Sequence, residues 1–236
     1  ALFRARIELH ARGARVGSEI LTLVQAGFAD GAHARWRTLY EISVVCRFLA
    51  MHGEDIAARY LQHQTVRGAK AARAFNQHAS AIGWDPAPVE VLESLARQAQ
   101  PLLDHHGKAF ETDYGWAGPV LAPRPLTFRS LTEAVGWGHW APFYRWASGG
   151  VHAGADGLRP MGADGHGRDY VLVGASNRGL MDAPERRMDY ETFIVTFDAL
   201  VKRCQDALHA SHLDVEARSA RNDSQDASSA DPSADR

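Results

Sequence analysis

The sequence predicts an all-α fold, a helical bundle of five or six main helices, and three observations lead there. Apolar residues recur at spacings of three and four along most of the chain, the period of one helix face. Clusters of glycine and proline punctuate those runs. The clearest run, residues 30–52, is apolar nearly all round, as expected of a helix in the middle of a bundle. The chain has 236 residues and is 45% hydrophobic, enough for one sizeable core. The expected organisation is a single helical domain over 1–214. An irregular insertion, a loop with a small hairpin, occupies about 107–188, and a disordered tail covers 215–236.

Each element has its own signal. Residues 3–26 read as a helix through Phe3, Ile7, Ala14, Leu21 and Val24. Gly27 stops it, and Asp30 caps the next helix. That second helix, 30–52, has a seam of Ala32, Trp36, Leu39, Ser43, Cys46 and Ala50, with Tyr40, Ile42, Val44, Val45, Phe48 and Leu49 on its other faces. Glu54 opens a third helix that runs to Ile82 and is more polar, and Gly83 ends it. After Pro86 and Pro88 a fourth helix carries Val89, Leu92, Leu95, Ala99, Leu102 and His106. Residues 107–126 form a loop rich in Gly, Pro and aromatics ("DYGWAGP"), which suggests packing against the body. A short helix spans Ser130 to Val135, with Ser130 and Glu133 spaced as a capping box. Pro142 suits a helical first turn, and "YRWASGGVHAG" follows, residues 144–154. Residues 153–169 form a Gly/Asp-rich loop, and "DYVLVGAS" supplies one strand of the hairpin. Tyr190 to Leu213 makes the last helix. Beyond Val215 no aliphatic or aromatic side chain larger than Ala remains, so that tail cannot bury enough to order itself.

Charge and cysteine usage bound the function. Net charge is −2, and the tail from Glu216 to Arg236, with five acids and three Arg, accounts for all of it. The body is therefore balanced, and a phosphate-binding surface has to be local. Of the 26 basic residues only Lys70, Lys108 and Lys202 are lysine. Cys46 and Cys204 both sit in apolar helical patterns, which points to buried free thiols in a reducing compartment, not to a disulfide framework. The longest apolar stretch, "ISVVCRFLAM", is broken by Arg47 and is too short to span a bilayer. A soluble, cytoplasmic protein with no membrane partner is expected. The chain opens at Ala1, not Met, which leaves room for residues ahead of it.

The chemistry concentrates in "YRWASGGVH". If 142–152 is helical, seven residues rotate by about 700°, which returns His152 to within roughly 20° of Arg145 and about 10.5 Å along the axis. Ser148 falls on the same side. Gly149 and Gly150 each cost about 1 kcal/mol inside a helix, which makes sense at a helix end or where a ligand comes close. An arginine fork binds phosphate, and a histidine moves protons near neutral pH. The structural alternative is plain: Arg145 pairs with an acid, Ser148 packs, and His152 ends a helix. On the second helix Arg35, Arg37 and Glu41 need partners. Arg37 and Glu41, four apart, suit each other, and Glu8 or Glu19 of the first helix suits Arg35.

The arrangement R-x6-H, "RWASGGVH", resembles the motif of the HEPN superfamily. Those are helical bundles, often dimeric, many of them metal-independent endoribonucleases of toxin–antitoxin and phage-defence systems. That resemblance implies Arg145 and His152 as a catalytic pair, RNA as substrate, and a homodimer. Separately, "GFADGAHARWRTLYEISVVCRFLA" (27–50) together with "YRWASGGVHAG" looks like a widespread bacterial all-helical family of unknown function, over roughly residues 1–175. In that resemblance Arg35, Arg37, Glu41, Ser148 and His152 are the family-typical positions.

No Walker loop, G-x-S-x-G elbow or CxxC pair is present. The twelve histidines form no H-x3-H pair with a helical acidic partner, so no metal and no cofactor is expected. Trp116, Trp137, Trp140 and Trp146 suit anchoring an irregular segment better than stacking bases. Two readings stay open. One is an endoribonuclease with catalytic Arg145 and His152, assisted by Ser148, and with Arg35 and Arg37 holding phosphate. The other is a non-catalytic helical interaction or sensor module, in which Arg35, Arg37, Glu41 and His152, with Glu8 and Glu19, form a buried polar network. The Arg/His spacing favours the first, and the neutral body and Trp146 favour the second.

Overall fold

A computed structural model describes residues 1–149, 151–152, 162–163 and 169–170. All of them belong to the first of two units into which the chain divides, Ala1–Ala175. Helix α1 spans Leu2–Gln25, and Gly27, with φ 81°, makes the turn that follows it. Helix α2, Ala29–His78, is a 50-residue run bent at Gly53, where φ is 79° and ψ −159°. The two helices expected over 30–52 and 54–82 are therefore the two halves of α2, and a short 3-10 turn, Ser80–Ile82, closes the second. Only glycine takes the Gly53 backbone freely, because any Cβ there would be strained. Helix α3, Val89–His106, returns alongside.

The first half of α2 is the centre of the bundle. It packs on α1 and also touches α5 (Phe128–Ala134) and α6 (Ala141–Gly149). Trp36, Tyr40, Ile42, Val44, Phe48 and Leu49 are all buried, as the nearly all-round apolar pattern requires. Each fully buried Val, Leu, Ile or Phe contributes about 1.5–3 kcal/mol.

The inward face of α1 differs from the expected one. Ala5, Leu9, Val16, Gly17 and Ile20 face the core, whereas Phe3, Ile7 and Leu21 are 50%, 43% and 47% exposed. The reason is close packing against α2. A Cβ on Gly13 would already meet Leu39 Cδ1 at 3.6 Å and Ile42 Cγ2 at 3.7 Å. The small residues let the two helices approach, so large apolar side chains on the neighbouring stripe stay outside.

The segment after α3 does pack on the body. It contains 3-10 turns at Lys108–Glu111 and Gly115–Ala117 and a single helical turn, α4, Gly118–Leu121. Phe110, Trp116, Ala117 and Leu121 are buried. Arg59 on the second half of α2 holds it. Its Nε donates to the Trp116 carbonyl (3.1 Å), one Nη to the Gly115 carbonyl (3.3 Å) and the other to His106 Nδ1 (2.5 Å). Arginine has only donors, so His106 Nδ1 accepts, and the proton on Nε2 goes to Gln62 Oε1 at 2.8 Å. His63, buried beside them, donates from Nε2 to the Thr112 carbonyl at 2.9 Å.

The expected Ser130 capping box is replaced by a cap one turn earlier. Thr127 is the N-cap of α5, and its Oγ1 accepts from the Ser130 amide at 3.2 Å, while Glu133 pairs with Arg129. The extended backbone of Thr127 suits it to capping, whereas Ser130 is already inside the helix. A 3-10 turn, Gly138–Trp140, leads into α6. A two-residue hairpin pairs Gly162 with Tyr170 and Ala163 with Asp169, which puts the start of "DYVLVGAS" in a strand. Cys204, the helix expected over Tyr190–Leu213 and the tail expected over 215–236 lie outside the described residues. Among the described residues no helix is long and apolar enough to cross a membrane.

Candidate functional site

Helix α6 lies against the first half of α2, and the side chains between them form a polar and aromatic junction. Arg37 Nε donates to Glu41 Oε1 at 3.1 Å, one turn along α2. Tyr144 of α6 donates its hydroxyl to the same carboxylate oxygen at 2.5 Å. The Arg37 guanidinium also lies over the Tyr144 ring, 4.9 Å from its centroid. Burial opposes the charge on Arg37, but Tyr144 and Glu41 together outweigh it and raise its pKa. Tyr144 is pushed well above the ordinary phenol range, first by burial and then by its bond to Glu41. Tyr114 faces the same carboxylate, and its pKa rises to about 12, chiefly through burial.

Aromatic rings extend this junction into the core. Tyr40 stacks between Trp36 and Trp137, at 5.5 and 6.2 Å, and gives its hydroxyl to the Trp137 carbonyl at 3.1 Å. Phe128 sits 4.9 Å from Tyr144 and 5.8 Å from Tyr40. Arg47 donates to the Val135 carbonyl and lies over Trp137. Trp116 and Trp137 thus anchor the irregular segment, while Trp146 is 41% exposed with His33 edge-on at 5.6 Å. Burial holds the pKa of His33 below its ordinary value.

The predicted site residues divide into two groups. Arg35 reaches Glu19 of α1 at 2.5 Å. Glu8 does not serve it and instead pairs with Arg4 one turn away, because a partner on its own helix is nearer than α2. Arg37 and Glu41 pair as the four-residue spacing predicts. The second group is at the end of α6. Arg145 and His152 are both exposed, and neither side chain has a hydrogen-bond or ion-pair partner among the described residues. The His152 amide donates to the Ser148 carbonyl at 3.2 Å, which continues the helical bonding pattern past Gly149. Ser148 is half-buried, and its hydroxyl donates to the Tyr144 carbonyl at 2.7 Å, a bond internal to the helix.

The participants not predicted from sequence are Tyr144, Tyr114 and His33. Tyr144 had one readable signal: it precedes Arg145 in the quoted motif, on the face opposite to solvent. Tyr114 and His33 had none, since only the fold carries them to Glu41 and Trp146. Cys46 is half-buried, and burial pushes its thiol up despite a hydrogen bond with Arg6. Among the described residues no group of three or more His, Cys, Asp or Glu side chains is placed to hold a metal ion.

A helical unit built around one long bent helix, with Arg145 and His152 exposed on and just beyond a short one, defines the class. A model described as "Family of unknown function (DUF5677)" matches residues 4–168, and the chain belongs to that family. The match takes in both the central part of α2 and the "YRWASGGVH" segment. No curated protein and no solved structure matches the chain.

Proposed function

We propose that the chain is a metal-independent endoribonuclease acting through Arg145 and His152, with RNA as substrate, two copies working together, and a place in bacterial defence or toxin action. The single observation that carries this reading is the exposure of both side chains with no protein partner among the described residues. His152 takes the proton from a 2′-hydroxyl, and the 2′-oxygen attacks phosphorus. The bond from phosphorus to the 5′-oxygen breaks, that oxygen takes a proton from water, and a 2′,3′-cyclic phosphate remains. Arg145 stabilises the negative charge that grows on the phosphoryl oxygens. Arg35 and Arg37 drop out as phosphate holders in this reading because Glu19 and Glu41 already engage them. The Ser148 hydroxyl supports α6 through its bond to the Tyr144 carbonyl.

The test is incubation of purified protein with mixed RNA in EDTA, beside His152→Ala and Arg145→Ala. Fragments ending in cyclic phosphate that vanish in both variants are the expected result. RNA that stays intact across sequences and concentrations would overturn the reading.

The satisfied Arg37–Glu41–Tyr144 junction supports a second reading, a non-catalytic helical interaction or sensor module. It predicts intact RNA in the same assay.

A further inference from the structure

Trp146 and Gly149, both in "YRWASGGVH", have no part in the chemistry above, yet their places on α6 set them beside it. Successive residues of an α-helix turn by about 100°. Trp146 therefore stands about 100° round from Arg145. Gly149, the last residue of α6, comes at the next turn, about 40° from Arg145 and about 60° from Trp146, between the two. Buried Ala147 falls on the far side of the helix. Arg145 and Trp146 are both exposed, so the solvent side of α6 carries a cation and an indole, and Gly149 puts no side chain between them.

The indole is also held in place. Trp146 is 41% exposed, and its contact with His33 of α2 is T-shaped, with the ring planes at 87° and the centroids 5.6 Å apart. A T-shaped contact takes up one face or one edge of a ring, so His33 covers at most one face of the indole. His33 rests in turn on buried Trp36, at 5.9 Å. A lone aromatic residue at a surface needs no explanation. An indole fixed from behind, next to a cation with no protein partner among the described residues, matches the two parts of a nucleotide, a flat base and a charged phosphate. We infer that Trp146 is a stacking platform for one unpaired base of the RNA, with the base over Gly149 and its phosphate at Arg145. The inference rests on the endoribonuclease reading for its ligand and adds the class of substrate, single-stranded RNA of little sequence preference. Every base offers a flat face to an indole, but in a duplex those faces are already stacked on neighbouring bases.

The full chain is titrated into a fluorescein-labelled 2′-deoxy strand of mixed sequence, and anisotropy reads the Kd. That strand keeps bases and phosphates but has no 2′-hydroxyl, so binding is measured apart from cleavage. Trp146→Ala should weaken binding roughly 5- to 150-fold, the equivalent of about 1–3 kcal/mol for one stacked base, with Tm unchanged. Trp146→Phe should recover part of the loss. Gly149→Leu fills the gap with a residue that a helix accepts better than glycine, so it should weaken binding without lowering Tm. The same strand annealed to its complement should not respond to Trp146→Ala. Binding that Trp146→Ala leaves unchanged, or a wild type that does not bind the strand, overturns the inference, and RNA cut by that protein would still support the nuclease reading. A strand bound through Trp146 by a protein that leaves RNA intact supports the platform and overturns the nuclease reading. Equal binding by Gly149→Leu overturns the place of the base over Gly149. A duplex that responds to Trp146→Ala overturns the restriction to unpaired bases.

Discussion

Replacing Arg59 with methionine keeps much of the stem and removes every donor. Arg59 makes three hydrogen bonds, to the carbonyls of Gly115 and Trp116 and to His106 Nδ1, and its guanidinium lies 5.1 Å from the centroid of Phe110. Gly115 and Trp116 are buried, so their carbonyls lose the Arg59 donors with no ready access to water, although the Gly115 carbonyl keeps the Gly118 amide. A hydrogen bond to a charged group contributes about 1.5–3 kcal/mol, but Arg59 is only part-buried and the three bonds share one side chain, so roughly 2–4 kcal/mol is expected for the set. At about 2–4 °C per kcal/mol for a chain of this size, Tm should fall by roughly 4–16 °C. Urea unfolding followed by circular dichroism measures it. Lysine at 59 keeps the charge but not the fork, so Arg59→Lys should recover less than half of the loss. A change within about 0.5 kcal/mol, the range of an ordinary surface substitution, would refute the idea that Arg59 ties the 107–121 segment to α2.

Tyr144→Phe removes the hydroxyl that meets Glu41 and leaves the ring in place, so stability should fall by about 1–2 kcal/mol in the same unfolding assay. If Arg145 and His152 act on RNA, cleavage measured well below the new Tm should change little. Two histidines predict a pH dependence. His63 and His106 are both held below the ordinary 6.5, chiefly by burial and, for His106, next by the Arg59 charge. As pH falls below that value the unfolded chain takes up protons that the folded chain resists. Stability should therefore be level above about pH 7 and decline from about pH 6.5 toward 5.5, before most carboxylates titrate. Denaturant midpoints that stay flat or rise across that window would refute it.

How much of this was legible in the sequence varies by residue. The central helix was readable because Trp36, Leu39, Tyr40, Phe48 and Leu49 fill every face, so no choice of phase was needed. The Arg37–Glu41 pair was readable because both partners ride on one helix at a fixed spacing. Helix α1 was readable in extent but not in facing. Phe3, Ile7 and Leu21 make one apolar stripe and Ala5, Leu9, Val16 and Ile20 another, and the core takes the second. Periodicity does not choose between two stripes, whereas packing follows the fit between two surfaces.

The sequence by itself determined the helices, their breaks at Gly27, Gly53, Gly83 and Gly107, and the pairs that lie one turn apart. Those are matters of local geometry, set within a few residues of backbone. Only the tertiary structure decided that Tyr144 shares Glu41 with Arg37, that Glu19 and not Glu8 reaches Arg35, and that Arg59 meets the carbonyls of Gly115 and Trp116. In each case the partners are far apart along the chain or offer equivalent choices on one helix. Which of them meet depends on how closely α1, α2 and α6 approach, and small side chains at the contacts set that distance.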